Sequence, residues 1–287
     1  MKIIDIIKGG NPRLSFEVFP PKTDASFEAV MSATAEIASL SPSYMSVTYG
    51  AGGGTSRYTA EIAEKIQNMG VTPLAHLSCI SSTKETVHSL LCDLRARGIE
   101  NILALRGDIP KEGKVPGEYR YASELTEEIR RFGGFCIGGA CYPEGHPESA
   151  TGEADIDALC IKVQAGCEFL TTQMFFDNNI LYNFLYRLMR RGVEVPVVAG
   201  IMPVTSAAQI KRITSISGNT LPQRFLRLVD RYGDNPAAMK QAGIAYATEQ
   251  VIDLYANGIN AVHIYSMNKP DVAAAIQRNV SEIIRPL

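Results

Sequence analysis

Short apolar, β-rich runs recur along the chain at Leu14–Phe19, Tyr44–Tyr49, Thr72–Leu77, Asn101–Leu105, Phe135–Cys141, Phe169–Phe175, Val195–Ile201 and Ala261–Tyr265. Most begin roughly 27–35 residues apart, the length of one strand–helix unit. The segments between them carry helical spacing. Ala25–Leu40 puts Phe27, Val30, Met31, Ile37 and Leu40 on one broad face, and Thr59–Met69 does so with Ile62, Ile66 and Met69. Lys84–Arg97 aligns Val87, Leu90, Leu91 and Leu94. Gly70, Gly98, Gly166, Gly192 and Gly258 stand where helices should stop, because a C-terminal cap favours positive φ. The seventh and eighth runs lie farther apart, which leaves room for extra helices. Alternating strands and helices in this number predict an α/β fold, a (β/α)8 TIM barrel, as a single domain over residues 1–287. An open doubly wound sheet is the alternative; a glycine fingerprint after the first strand would favour it, and there is none.

Charge and composition narrow the function. The 287 residues include 28 basic and 30 acidic side chains, for a formal net charge of −2. A near-neutral chain without a basic run argues against nucleic acid as the main partner. No apolar stretch approaches the roughly 18 residues that span a bilayer. Met1–Gly10 interrupts its apolar residues with Asp5 and Lys8 and reads as a short amphipathic helix, not a signal peptide. The cysteines at 79, 92, 136, 141, 160 and 167 form no CxxC pair and no zinc spacing. They read as buried, reduced thiols of a cytoplasmic protein.

In a barrel of this kind chemistry sits at the C-terminal ends of the strands. Polar groups gather there: Glu17 in FEVFPPK, Thr48 in SVTYGAGGG, His76 in LAHLSC, Arg106 and Asp108 in LALRGD, Tyr142, Glu144 and His146 in CYPEGHPE, Gln173 in TTQMFFD and Tyr265 in HIYSMNK. Each also has a plain structural reading. Glu17 lies inside an apolar run, so its charge must be paired or its pKa raised. His76 is either a satisfied core histidine or a functional one. Arg106 and Asp108, two close opposite charges, are expected to pair with each other. Gly50–Gly54 lacks a P-loop lysine and reads as a βα loop. Gln173 can bond to backbone, Met174, Phe175 and Phe176 read as packing, and Pro20–Pro21 mark a strand end.

Taken together, FEVFPPK, SVTYGAGG, AHLSC, LALRGD, YASEL, YPEGHPE, TQMFFD, GIMPV and HIYSMNK resemble methylenetetrahydrofolate reductases of the short bacterial type. They follow the family's order and span nearly the whole chain. The resemblance implies a barrel holding FAD non-covalently and reducing 5,10-methylenetetrahydrofolate to 5-methyltetrahydrofolate. NADH or NADPH passes hydride to the flavin, leaves, and is replaced by the folate in a ping-pong cycle.

Residue roles follow from the same resemblance. Glu17 matches the general acid that protonates the bridging nitrogen, and a buried glutamate can be tuned for that work. Asp108 matches the carboxylate beside flavin and pterin, where it would stabilise a cationic iminium and tune the flavin potential. Gln173 matches the amide that meets the pterin edge. Thr48, His76, Arg106, Asp108, Tyr121, Ala122, Tyr142, His146, Asp155 and Lys162 fall on positions that contact FAD. Arg106, His146 and Lys162 would offset diphosphate charge, Asp155 would bind hydroxyls, and Tyr142 would stack. Gln209, Tyr265 and Lys269 lie where the family handles folate or nicotinamide.

The chain departs from the family pattern at Val18 and Lys22, where members often carry Phe and Arg, and at Lys269, where a bacterial relative carries arginine. A lysine keeps the charge and loses the bidentate fork. The family forms homo-oligomers, and some relatives in anaerobes need a partner subunit or another electron donor. Two other readings remain: a different FAD barrel, such as a proline dehydrogenase-like oxidoreductase, and a folate- or flavin-binding subunit without turnover of its own.

Overall fold

The computed structural model describes residues 1–21, 23–49, 56–109, 117–210, 213 and 219–285. Lys22 and the Gly50–Gly54 loop, both singled out from the sequence, lie outside the described residues. Eight parallel strands close into a barrel in chain order. They are β1 (Arg13–Val18), β2 (Met45–Val47), β3 (Pro73–Ser78), β4 (Asn101–Leu105), β5 (Cys136–Cys141), β6 (Phe169–Thr172), β7 (Val197–Ile201) and β8 (Ala261–Ile264). β1 pairs with β8 as well as β2, so no edge is left open. The predicted TIM barrel is the observed fold.

The helices obey local rules legible in the sequence. Thr83, Thr151, Asp177 and Asn235 each accept a backbone N–H at a helix start. All five glycines predicted as stops take positive φ, Gly70 at 83° and Gly258 at 79° among them. The helices Gln223–Tyr232 and Pro236–Ala256 fill the long interval between β7 and β8, as the spacing required.

Five strands are shorter than their apolar runs, β5, β7 and β8 by a residue or two and β2 and β6 by three. The run Phe169–Phe175 stops pairing at Thr172, because Phe176 turns away to pack with Val204, Ile210, Ile213, Phe225 and Met239. That cluster seats the extra helices. The run Tyr44–Tyr49 contributes only Met45–Val47. The cysteines are free thiols, but not all are buried: Cys92 is exposed and Cys160 half-buried, since they sit on helices and not on strands.

Side chains alternate along each strand. Leu14, Phe16 and Val18 of β1 face the helices, in one core with Met45, Val47, Ala75 and Ile264. Leu74, Leu103, Cys136, Phe169 and Val198 fill the barrel interior with Tyr44. The helix Ile3–Ile7 closes this inner core from below with Ile3, Ile4, Ile6 and Ile7. Asn101 holds it there, accepting from Ile3 N at 2.8 Å and donating to Met1 O at 3.1 Å. Above this apolar plug the interior turns polar, and the site begins.

Candidate active site

Register builds the polar layer. Ser15 stands opposite His263 across the β1–β8 pair, and Glu17 opposite Ser46 across β1–β2. All four are buried with His76 of β3. Ser15 Oγ lies 2.7 Å from His263 Nδ1, and Ser46 Oγ lies 2.9 Å from His263 Nε2. Ser46 Oγ stands 3.5 Å from Glu17 Oε2, and His76 Nε2 stands 3.7 Å from the same oxygen.

Burial decides the charges here. Desolvation pushes the Glu17 carboxyl up to about 8, with the Ser46 hydroxyl pulling weakly the other way. The same desolvation pushes His76 and His263 down to about 3. At neutral pH the layer therefore holds a carboxylic acid and two neutral imidazoles. His76 Nε2 is buried without a hydrogen-bond partner, which is costly for a ring nitrogen unless something else meets it.

Tyr265 follows β8 and rises over this layer. Its hydroxyl donates to Thr172 O at 2.5 Å. Gly200 of β7 makes room for it, since a methyl there would overlap both the Tyr265 ring and the Thr172 carbonyl.

A second group lines the ends of β4 and β5. Arg106 grips Glu148 with both guanidinium nitrogens, at 2.5 and 2.7 Å. The expected Arg106–Asp108 pair is thus corrected. Glu148 arrives from the loop after β5 with a geometry that suits the planar fork, while Asp108 stays exposed close by and acts on Arg106 only through its field. The Glu148 bonds hold the Arg106 pKa above its ordinary value. His146 meets Tyr142 edge-on at 4.6 Å between ring centres. Burial lowers the His146 pKa, with Arg106 adding to the effect.

Lys162 reaches the same group from the helix Gly152–Gln164, and its Nζ donates to Ala140 O at 2.5 Å. Burial pulls its pKa down. Gly139 opens the path for the aliphatic stem, because a Cβ there would come within 2.7 Å of Lys162 Cδ. Asp155 is buried on that helix and accepts from Ser149 Oγ at 3.3 Å.

A third group sits beyond β7. Lys269 Nζ donates to Thr205 Oγ1 at 2.7 Å, and Gln209 Oε1 accepts from Thr205 N at 3.1 Å. Gln173, just past β6, accepts from Met174 N with its own carbonyl at 2.9 Å. Thr48 is half-buried at the end of β2, and its carbonyl accepts from Thr59. Tyr121 and Ala122 open the helix Ala122–Phe132, where the Tyr121 ring is 63% exposed. The Tyr121 carbonyl accepts from the buried Cys79 Sγ, just past β3, at 3.8 Å.

Sequence reasoning missed Ser15, Ser46, His263 and Glu148. The first three were hidden in plain strand alternation: Ser15 precedes Glu17 by two residues and His263 precedes Tyr265 by two, so each shares its partner's side of the strand. Glu144, at the end of β5, proves structural, accepting from Asn219 Nδ2 at 2.9 Å and Thr220 N at 2.8 Å. Among the described residues no cluster of His, Cys, Asp and Glu could hold a metal ion, and no helix is long and apolar enough to cross a membrane.

Comparison with known proteins gives this arrangement its relatives. A family model described as methylenetetrahydrofolate reductase matches residues 2–281. The chain is 34% identical to a 5,10-methylenetetrahydrofolate reductase of Pectobacterium carotovorum subsp. carotovorum, over 93% of this chain and 89% of that one. It is also 34% identical to methylenetetrahydrofolate reductase (NADH) 1 of Zea mays, of which it spans 52%. The chain thus covers about half the length of the plant relative and most of the bacterial one. Among solved structures, a Clostridium thermocellum protein described as binding two copies of 5-methyl-5,6,7,8-tetrahydrofolic acid shares the fold, with a TM-score of 0.68 at 12% identity over 98% of this chain and 99% of that one. By the extent of the model match and the identity to the bacterial enzyme, this chain belongs to the methylenetetrahydrofolate reductase family.

Proposed function

We propose that residues 1–287 work as one catalytic barrel that reduces 5,10-methylenetetrahydrofolate to 5-methyltetrahydrofolate, with NADH or NADPH as electron donor and FAD held non-covalently. The two substrates would use one site in turn. The observation that carries this reading is the Glu17 carboxyl, buried at the C-terminal end of β1 and held protonated near neutral pH.

The residues fit the cofactor. Lys162 is half-buried and its Nζ has a single backbone acceptor, which leaves donors for an anion. Arg106 and His146 act on the same neighbourhood, so a diphosphate would meet three nitrogen-bearing side chains. His76 Nε2, orphaned and buried, suits a polar edge of a ligand. When bound, FAD supplies the two-electron carrier that neither protein nor folate provides.

The chain's own groups would do the rest. Glu17 delivers its proton to the bridging nitrogen of the folate, which opens the five-membered ring. A carboxyl that stays protonated to about pH 8 can make that transfer at neutral pH. Asp108, exposed at the mouth, offers negative charge where the opened folate is cationic. Gln173 would offer its amide to the pterin edge, exchanging its bond to Met174 N. Gln209 and Lys269, joined through Thr205, would line the folate or nicotinamide side with Tyr265.

The direct test is anaerobic. The protein is loaded with FAD, the flavin is reduced chemically, and methylenetetrahydrofolate is added while the visible flavin bands are followed. Rapid return of the yellow colour is expected. Flavin that stays bleached while bound would overturn the claim that this chain carries the folate half-reaction alone.

A further inference from the structure

The buried chain from Glu17 through Ser46 and His263 to Ser15 has an unusual property: it can be fully hydrogen-bonded in two ways that differ by one proton. Ser15 Oγ reaches two acceptors, His263 Nδ1 at 2.7 Å and Val262 O at 3.1 Å. Ser46 Oγ sits between His263 Nε2 at 2.9 Å and Glu17 Oε2 at 3.5 Å. A hydroxyl donates once, and a neutral imidazole donates from one nitrogen and accepts at the other. These rules allow two complete arrangements.

With Glu17 protonated, its O–H donates to Ser46 Oγ, and Ser46 donates to His263 Nε2. His263 then donates from Nδ1 to Ser15 Oγ, and Ser15 donates to Val262 O. With Glu17 ionised the three links between Glu17 and Ser15 reverse, and Ser15 gives up its bond to Val262 O. His263 donates from Nε2 to Ser46, Ser46 donates to the carboxylate, and Ser15 donates to His263 Nδ1. A mixed arrangement aims two donors at Ser46 Oγ and strands the Ser46 proton, which is expensive in a buried site. The 3.5 Å link to Glu17 is the longest and weakest of the chain.

We propose that His263, acting through Ser46, is a positioning residue that sets the proton on Glu17, its neutral ring exchanging tautomers as Glu17 gains or loses that proton. One proton leaves the cluster, from Glu17; the ring proton moves from Nδ1 to Nε2, and the imidazole stays uncharged. The inference rests on the reading of Glu17 as the acid and adds how the acid is held ready.

The surroundings isolate this event. Tyr44 stacks on the His263 ring at 5.5 Å and 8°, and Tyr265 meets it edge-on at 5.6 Å and 89°. The ring is clamped between aromatics, so the tautomer is its remaining freedom. Facing groups do not titrate with Glu17: burial pushes Tyr44, Tyr265 and Cys141 far up, and pushes His76, like His263, down to about 3. Tyr142, after β5, is also raised.

The experiment is nitrogen-15 NMR of histidine-labelled, FAD-loaded protein across pH 6 to 10. Four histidines are few enough to assign, with His263 identified by its loss in His263→Gln. Two ring-nitrogen signals should exchange character with the midpoint of Glu17 ionisation, read from the labelled Glu17 carboxyl, without the shift of a charged ring. In Glu17→Gln the tautomer should be fixed at all pH values. In Ser46→Ala it should no longer follow pH, and the alkaline limb of the folate half-reaction should move up by roughly half a unit to one unit. A His263 tautomer that stays constant while Glu17 titrates overturns the proposal. The acid role fails separately: a Glu17→Gln variant that reoxidises reduced flavin with folate at the normal rate would remove the acid and leave the tautomer coupling intact.

Discussion

Glu17 Oε2 and His76 Nε2 lie 3.7 Å apart, yet at neutral pH they are not an ion pair. Each is buried, and burial moves the two pKa values in opposite directions: the carboxyl up to about 8 and the imidazole down to about 3. Between those values both groups are neutral. Proximity of an acid and a base in a dry site therefore yields a stored proton and not a salt bridge, because desolvating two ions costs more than their attraction returns.

This predicts the pH dependence of the folate half-reaction. In the proposed role Glu17 must be protonated to act, so the rate should hold through neutral pH and fall as pH rises through about 8. Reduction of the flavin by pyridine nucleotide needs no such proton and should lack that limb. Stopped-flow rates of each half-reaction at a series of pH values check this. Glu17→Gln should leave the first half-reaction and lower the second by at least the 100-fold typical of a lost general acid.

The same carboxyl should weaken the fold at alkaline pH. Below its ordinary value of 4.5 Glu17 is protonated folded and unfolded, and contributes no pH dependence. Between 4.5 and about 8 the unfolded chain has released the proton and the folded one retains it, so stability falls as pH rises. At about 1.4 kcal/mol per pH unit the loss is capped on the order of 5 kcal/mol, and above pH 8 it is constant. Glu17→Gln removes the titration. Denaturant melts should show the variant gaining on the parent from pH 5 to pH 8, and the gap staying level beyond.

Much of this was legible in the sequence, and the parts that were not share a cause. The apolar runs and glycine stops fixed the barrel, because each unit obeys local rules. Glu17 stood out because an ionisable residue inside an apolar strand is rare for a reason. Ser46 and His263 carry no such mark. A serine or histidine in a strand reads alike whether it faces the interior or the helices, until β1 closes against β8 and sets Ser15 opposite His263. Glu148 was hidden differently: it lies 42 residues from Arg106, and only the return of the chain through β5 brings them together. Asp108, two residues from Arg106, is the partner that spacing alone suggests.

That pair gives a prediction about ligand affinity. Glu148 occupies both arms of the Arg106 fork, the arms a diphosphate would use. Glu148 is exposed, so its bond is screened and contributes within about 1 kcal/mol. Glu148→Ala should therefore tighten FAD binding by roughly two- to fivefold and change the unfolding midpoint little. Flavin fluorescence titrations read the affinity. Weaker binding would mean that Glu148 orients Arg106 for the ligand and does not compete with it.

Asp108 is the other carboxylate, and its exposure separates its role from that of Glu17. A negative charge beside a flavin opposes the gain of electrons, because reduction adds negative charge to the ring system. Removing that charge should make reduction easier. Asp108→Asn is expected to raise the flavin potential, speed oxidation of pyridine nucleotide and slow reduction of folate, whose cation loses its counter-charge. Potentiometric titration of variant and parent decides it. An unchanged potential would place Asp108 too far from the flavin for this role.

Tyr265 depends on a missing side chain. Gly200 N donates to Thr172 Oγ1 at 2.8 Å, and Tyr265 Oη donates to Thr172 O at 2.5 Å, so β7 and the segment after β8 converge on one residue of β6. A methyl at Gly200 would overlap both the Tyr265 ring and the Thr172 carbonyl. Side chains can move aside; a carbonyl in a closed barrel cannot without disturbing its ladder. Gly200→Ala should cost about 3 kcal/mol, near the top of the usual range for overpacking. Adding Tyr265→Ala to Gly200→Ala should recover only part of that loss, because the backbone clash remains. Full recovery in the double variant, measured by thermal or denaturant unfolding, would show that the barrel wall yields at Thr172 and that the tyrosine ring was the whole obstacle.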